Sequence, residues 1–204
     1  DRRNLADRDE LRASLRQEFG IDEDQQLLLM IGSGFITKGV DRAIDGLKSL
    51  PVDLRERTQL VVVGKDNPAP FLRQAAKLGL EKHVTIYSEG RSDIPRFLFG
   101  ADLLVHPAYA ENTGTVILEA MIAGLPVLVS DVCGYAHYVN QADAGKVLSA
   151  PFSQEEFDQM LLQMLVSNEK IQWRENGQRF GAYADIYSMP DRAVDVITET
   201  VSQC

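Results

Sequence analysis

The stretch LLVHPAYAENTGTVILEAMIAGLPVLVS, residues 103–130, holds one complete repeat of the architecture. Leu103–His106 is a short apolar run closed by a polar residue and Pro107, the form of a buried strand. After a loop, Thr115–Ala123 carries apolar residues at helical spacing; Gly124-Leu125-Pro126 then leads into a second apolar run, Val127–Ser130. Strand, helix, strand is the crossover unit from which parallel sheets are built.

The same alternation extends outward in both directions. Further strands are expected at Gln26–Gly32, Gln59–Gly64, Val84–Ser88 and Gly145–Leu148, and further helices at Val40–Leu50, Pro68–Leu78 and Ile94–Phe99. The four crossover helices should make right-handed connections. The expectation is a Rossmann-like, doubly wound parallel α/β sheet over residues 21–150. An amphipathic lead-in helix, Asp7–Phe19, precedes it within residues 1–20, with Leu11, Leu15 and Phe19 four apart and Gly20 as its stop. Residues 151–204 read as a helical C-terminal tail: Ser153–Val166 behind Ser-Gln-Glu-Glu, Glu169–Tyr183, and Asp191–Val201 behind Pro190. No repeat, low-complexity segment or linker divides the 204 residues, so one folded unit is expected.

Composition narrows the function classes. A formal charge of −9 argues against nucleic acid, which is gripped through clustered Lys and Arg, and favours a small-molecule ligand. Runs such as Leu27–Ile31 and Leu60–Val63 are far too short to span a bilayer, and no leader pattern opens the chain at Asp1. Cys133 and Cys204 have neither metal-ligand spacing nor a disulfide framework, which suits a reducing compartment; both read as inert.

Ligands of open α/β sheets bind at loops leaving the carboxyl ends of strands. After the first strand, Gly32-Ser33-Gly34 lets backbone amides approach a ligand and Lys38 adds positive charge, a combination suited to phosphate. The plain alternative is a glycine-rich turn that only ends a strand, and no Gly-Lys-Ser/Thr closes it as a Walker sequence. After Leu103–His106, Glu111 and Glu119 stand eight residues apart. With a helix starting at Thr113 or Gly114, Glu111 sits in the loop and Glu119 in the second turn. The amides from Asn112 through Thr113, Gly114, Thr115 and Val116 then face an anion such as a diphosphate. Glu111 is placed to accept sugar hydroxyls and Glu119 a ribose diol. Against this, Glu111 is readable as a loop charge near a helix start and Glu119 as a surface charge. The apolar run Ala120-Met121-Ile122-Ala123 behind Glu119 tips the balance, because a carboxylate on so apolar a helix needs a partner.

Other candidates have plainer readings beside their functional ones. His106 at a strand end either contacts a ligand or is hydrogen-bonded within the core. His137 with Tyr135 and Tyr138 lies near the expected cleft but also suits packing, and Trp173 reads as core or an interdomain contact. No Asp-x-Asp or ligand spacing supports a metal site, so none is expected.

The Glu-x₇-Glu pattern running into Glu119-Ala-Met-Ile-Ala-Gly-Leu-Pro-Val127 resembles the signature of retaining GT-B-fold glycosyltransferases of family four. His106-Pro107-Ala108-Tyr109, Cys133-Gly134-Tyr135-Ala136-His137-Tyr138 and the Gly32–Arg42 stretch are similar to members that glucosylate the inner-core heptose of lipopolysaccharide. The resemblance covers nearly the whole chain but only the C-terminal half of such enzymes, implying an acceptor-binding N-terminal domain outside it. It implies a UDP-glucose donor, no cofactor or metal, a lipid-linked heptose acceptor, and a cytoplasmic or membrane-peripheral setting. It makes Lys38 and Glu111 the catalytic pair. Lys38 would neutralise the diphosphate beside Gly32, Ser33 and Gly34, while Glu111 would hold the donor sugar. Thr113, Gly114, Thr115 and Val116 would bind the sugar or distal phosphate, Glu119 would take the ribose, and Gly90 and Arg91 would border the uracil. Arg91 alone also reads as a solvated loop residue. Thr37 stands where the resemblance expects an arginine beside the lysine. The last helix would pack across onto the other half. Two rival functions remain, a nucleotide-binding domain without transfer chemistry and an epimerase acting on UDP-sugars.

Overall fold

Strands that carry apolar residues on both faces must be covered on both. In the computed structural model, which describes residues 8–183, they are. β1 (Gln26–Ile31), β2 (Thr58–Val63), β3 (Val84–Tyr87), β4 (Leu103–His106), β5 (Val127–Ser130) and β6 (Gly145–Leu148) form one parallel sheet in the order β3-β2-β1-β4-β5-β6. Successive side chains point to opposite faces and divide between two cores. Leu27, Leu29, Val61, Val63, Leu104, Val127 and Val129 join one core. Leu28, Met30, Leu60, Val62, Leu103, Val105 and Leu128 join the other.

The helices are apportioned to these faces. α1 (Arg8–Phe19), α6 (Ile94–Gly100), α7 (Thr115–Ala123) and α8 (Ala136–Ala142) contribute Leu15, Phe97, Ile117 and Val139 to the first core. α3 (Val40–Ser49), α5 (Ala69–Lys77) and α9 (Gln154–Val166) contribute Ile44, Phe71 and Phe157 to the second. α10 (Lys170–Tyr183) reaches both, with Trp173 buried in the second and Phe180 against the first.

Two short helices, α2 (Phe35–Lys38) and α4 (Val52–Arg55), and the crossover α8 are additions to the sequence expectation. α2 and α4 are single turns, too short to show a period. α8 buries only Ala136 and Val139, leaving a helix with almost no apolar stripe. With it, all six strands are joined by five crossovers rather than four. The expected last helix, Asp191–Val201, and Cys204 lie outside the described residues.

The Arg12–Arg16 stretch of α1 is locked to the opposite end of the sheet from the strand-ending loops. Asp102, just before β4, receives Arg12 at 2.7 Å, Arg16 at 3.1 Å and the Leu27 amide at 2.8 Å. Arg16 also donates to the carbonyls of Asp22 and Gln25, and its side chain is only 9% exposed. Asp102→Ala would strand a buried guanidinium and a strand amide together. A loss of roughly 3 kcal/mol is expected, read as a melting temperature lower by about 10 °C. A variant melting within about 2 °C of the parent would show that this cluster carries no stability.

Candidate functional site

The order of the sheet reverses between β1 and β4, so the chain leaves these neighbouring strands toward opposite faces and opens a crevice at their carboxyl ends. One side is the β1–α3 connection, with Gly32, Ser33, Gly34 and Lys38. The other is the β4–α7 loop, with Glu111, Thr113 and Gly114.

The two sides are tied directly to each other. The Thr37 carbonyl accepts the Tyr109 amide at 2.8 Å. Arg42 of α3 donates to the carbonyls of Pro107 and Ala108, both at 3.0 Å. Its guanidinium lies 3.4 Å from the Tyr109 ring centroid and 3.7 Å from that of Phe152. The Tyr109 hydroxyl donates to Asp41 at 2.7 Å. Gly39, at φ +76°, brings the start of α3 so close that a Cβ would lie 2.1 Å from the Pro107 carbonyl oxygen. Any other residue there would push the two sides apart.

Within this frame Lys38 Nζ donates to Glu111 Oε2, and His106 Nε2 donates to the same oxygen at 3.2 Å. The Lys38 stem runs over Gly32, and the Glu111 stem over Gly114, where added Cβ atoms would meet them at 3.2 and 3.3 Å. Gly32, Lys38, His106, Glu111 and Gly114 are therefore contiguous. The hydrogen bond from His106 and the pairing with Lys38 outweigh burial and hold the Glu111 carboxyl down to about 2. His106 is fully buried, and its Nδ1 has no hydrogen-bond partner among the described residues. Cys133 is buried nearby; burial pushes its thiol up to about 11, leaving it protonated and unreactive at neutral pH.

α7 starts immediately beyond. Its cap is Gly114 in the left-handed region, so no side chain caps the first amides. Thr115 and Val116 open the helix, and Glu119 stands half-buried four residues after Thr115, on the same face. The Tyr135 amide donates to the Thr113 carbonyl at 2.9 Å, fastening the β5–α8 loop to this one. His137 and Tyr138 lie 4.0 Å apart by ring centroid, and Tyr138 packs on Phe180 at 5.3 Å, so this aromatic group joins α8 to α10.

Arg91 is held by two carboxylates. It pairs through two nitrogens with Asp93 at 2.8 and 2.7 Å, reaches Glu18 of α1 at 3.2 Å, and lies over Tyr87 and Phe97. That pairing holds Asp93 down to about 2. Gly90 does adjoin the crevice side, through a residue that the sequence reading passed over, Lys65. Lys65 was missed, whereas Arg42 and Tyr109 entered the sequence reading only as parts of the stretches that carry the resemblance, with no role given to either. Lys65 had a signal, since Gly64-Lys65 follows a strand just as the glycine-rich turn does; the role of Arg42 had no local signal, because an arginine on a helix looks like any solvated charge. Among the described residues, no group of three or more His, Cys, Asp or Glu is placed to hold a metal, and no helix is long and apolar enough to cross a membrane.

Comparison with known proteins places the chain among relatives of known family. The family model for glycosyl transferases group 1 matches residues 12–184. Lipopolysaccharide glucosyltransferase WaaG of Escherichia coli K12 is 48% identical over 184 residues, 90% of this chain and 49% of that protein. A crystal structure of WaaG superimposes with a TM-score of 0.88 at 47% identity, covering 92% of this chain and 51% of that one. Anabaena HepE, solved with UDP and glucose, gives a TM-score of 0.79 at 24% identity over 96% of this chain and 53% of HepE, a likeness of fold alone. The chain thus spans about half the length of the relatives it matches. With a family model covering the sheet, both sides of the crevice and the helices around them, the chain belongs to the glycosyl transferases group 1 family.

Proposed function

We propose that this chain is the donor-binding half of a retaining glycosyltransferase, taking UDP-glucose and, in the whole protein, passing glucose to a heptose of the lipopolysaccharide inner core. The observation that carries the reading is the convergence of Lys38, Glu111 and the uncapped start of α7 at the switch point. The 48% identity to a lipopolysaccharide glucosyltransferase supports the donor and acceptor classes. The acceptor sugar would be held by residues outside this chain, and the whole protein would work in the cytoplasm beside the inner membrane.

On this reading the donor's diphosphate lies over Gly32–Gly34, with Lys38 and the amides of Thr115 and Val116 facing its oxygens. Glu111 accepts sugar hydroxyls and Glu119 the ribose diol. As the bond from the sugar's anomeric carbon to the phosphate oxygen breaks, negative charge grows on the leaving diphosphate. A fixed ammonium and oriented amides stabilise that charge without reorganising. The transfer is proposed to need neither a metal nor a cofactor, Lys38 and the helix start meeting the charge instead. Before the donor arrives, Glu111 keeps Lys38 compensated and aimed into the crevice. A diphosphate, with more charge and more acceptor oxygens, then competes for the ammonium.

Two measurements check this. Titration calorimetry should show UDP binding that weakens by about tenfold or more in Lys38→Ala and in Glu119→Ala, the effect of removing one charge-assisted contact; equal affinity in all three proteins would remove both assignments. The second concerns acid stability. Glu111 titrates at about 2 in the folded chain against an ordinary value of 4.5, so its stabilisation is complete above pH 4.5 and lost as pH falls toward 2. Glu111→Gln should therefore melt below the parent at pH 6, with the gap closing between pH 4.5 and 2. A gap that stays constant would show that the pairing does not stabilise the fold.

A further inference from the structure

The first three strands each place one cation between themselves and their crossover helix: Lys38 after β1, Lys65 after β2 and Arg91 after β3. Two of the three are engaged by carboxylates, Lys38 by Glu111 and Arg91 by Asp93 and Glu18. Lys65 is exposed and forms no ion pair among the described residues. Its backbone is nonetheless held on both sides. The Lys65 amide donates to Ser33 Oγ at 3.1 Å, and Lys65 bridges to Glu89 of the third connection. The preceding Gly64 lies against the first connection, where a Cβ would come 2.2 Å from the Gly32 carbonyl oxygen. The Lys65 side chain runs along Gly90, where a Cβ would meet its Cε at 3.2 Å. An ammonium group is thus carried on a short tether between Ser33, on the phosphate side of the crevice, and Gly90, on the side assigned to the nucleobase.

We propose that Lys65 is a donor-binding residue that meets the nucleoside-side phosphate of a nucleoside diphosphate. The inference rests on the donor-domain reading above and adds to it a second positive charge. Thr37, where an arginine is expected beside Lys38, supplies none; its hydroxyl donates to the Gly34 carbonyl at 2.8 Å. Lys38, paired at Glu111 where the sugar would lie, serves the distal phosphate. Lys65, one strand further toward the nucleobase side, serves the proximal one. Charge neutralisation is thereby spread along the diphosphate rather than gathered beside the sugar.

The test uses UDP and UMP, which share the proximal phosphate and differ in the distal one. In calorimetry at fixed ionic strength, Lys65→Gln should weaken both nucleotides about tenfold, whereas Lys65→Arg should stay within about threefold of the parent. Lys38→Ala should weaken UDP far more than UMP. Because Lys65 is exposed, unchanged melting temperatures are expected and would confirm that folding is not the cause. Parent-like affinity of Lys65→Gln for both nucleotides overturns the inference and leaves the donor-domain reading standing, and loss for UDP alone overturns the assignment to the proximal phosphate. A parent chain that binds neither nucleotide overturns the donor-domain reading and this inference with it.

Discussion

The architecture of the site depends on how closely the start of α3 approaches the end of β4. A Cβ at Gly39 would sit 2.1 Å from the Pro107 carbonyl oxygen, well inside van der Waals contact, so this separation is set by the absence of a side chain. From that contact the rest follows by short steps. The Thr37 carbonyl comes within reach of the Tyr109 amide, Arg42 spans to Pro107 and Ala108, and Lys38 meets Glu111. Without the close approach, the two sides of the crevice would be independent loops. Each would then have to be ordered separately when a ligand bound, at a cost of about 1–2 kcal/mol per residue fixed.

Arg42 illustrates how the domain maintains this geometry. One guanidinium satisfies two carbonyls at the end of β4 and stacks between Tyr109 and Phe152, joining α3, the β4–α7 loop and the segment leading into α9. A lysine in its place would offer a point charge, with neither the planar face for stacking nor the fork for paired carbonyls. At the other end of the sheet, Asp102 anchors α1 with two arginines, away from the crevice between β1 and β4. Stability and site are thereby placed at opposite ends of the same strands, the usual consequence of parallel strand direction.

The architecture was legible because buried parallel strands have a signature that survives without context. All six strands were located to within a residue at either end, and the division of Leu27 and Leu29 from Leu28 and Met30 between two cores follows from the pleat alone. α8 was not legible, since it is seven residues long and buries only two of them. At the site, proximity in sequence exposed Glu111 with α7, and the glycine-rich turn exposed Lys38. That Lys38 and Glu111 share one site was implied only by the resemblance, and their direct contact was not foreseen, because 73 residues separate them and nothing local encodes it. The same holds for Arg91: selected by its loop, it is held by Asp93 and by Glu18 of α1, 73 residues away, a pairing that nothing local encodes.

A chain of net charge −9 is an unpromising partner for a dianion if charge is counted over the whole molecule. The count is the wrong measure, because salt screens exposed charges over about 8 Å, while the groups in the crevice act at hydrogen-bonding distance. Within that range are Lys38, the amides opening α7 and, on the inference above, Lys65. The carboxylate between Lys38 and the start of α7, Glu111, is already paired with a lysine and a histidine, so most of its charge is spent before a ligand approaches. Other acidic residues stand exposed on the surface, such as Glu155 of α9 and Glu169 in the turn before α10. There they discourage nucleic acid and other polyanions that bind over a broad surface, without opposing a small anion that enters a single crevice.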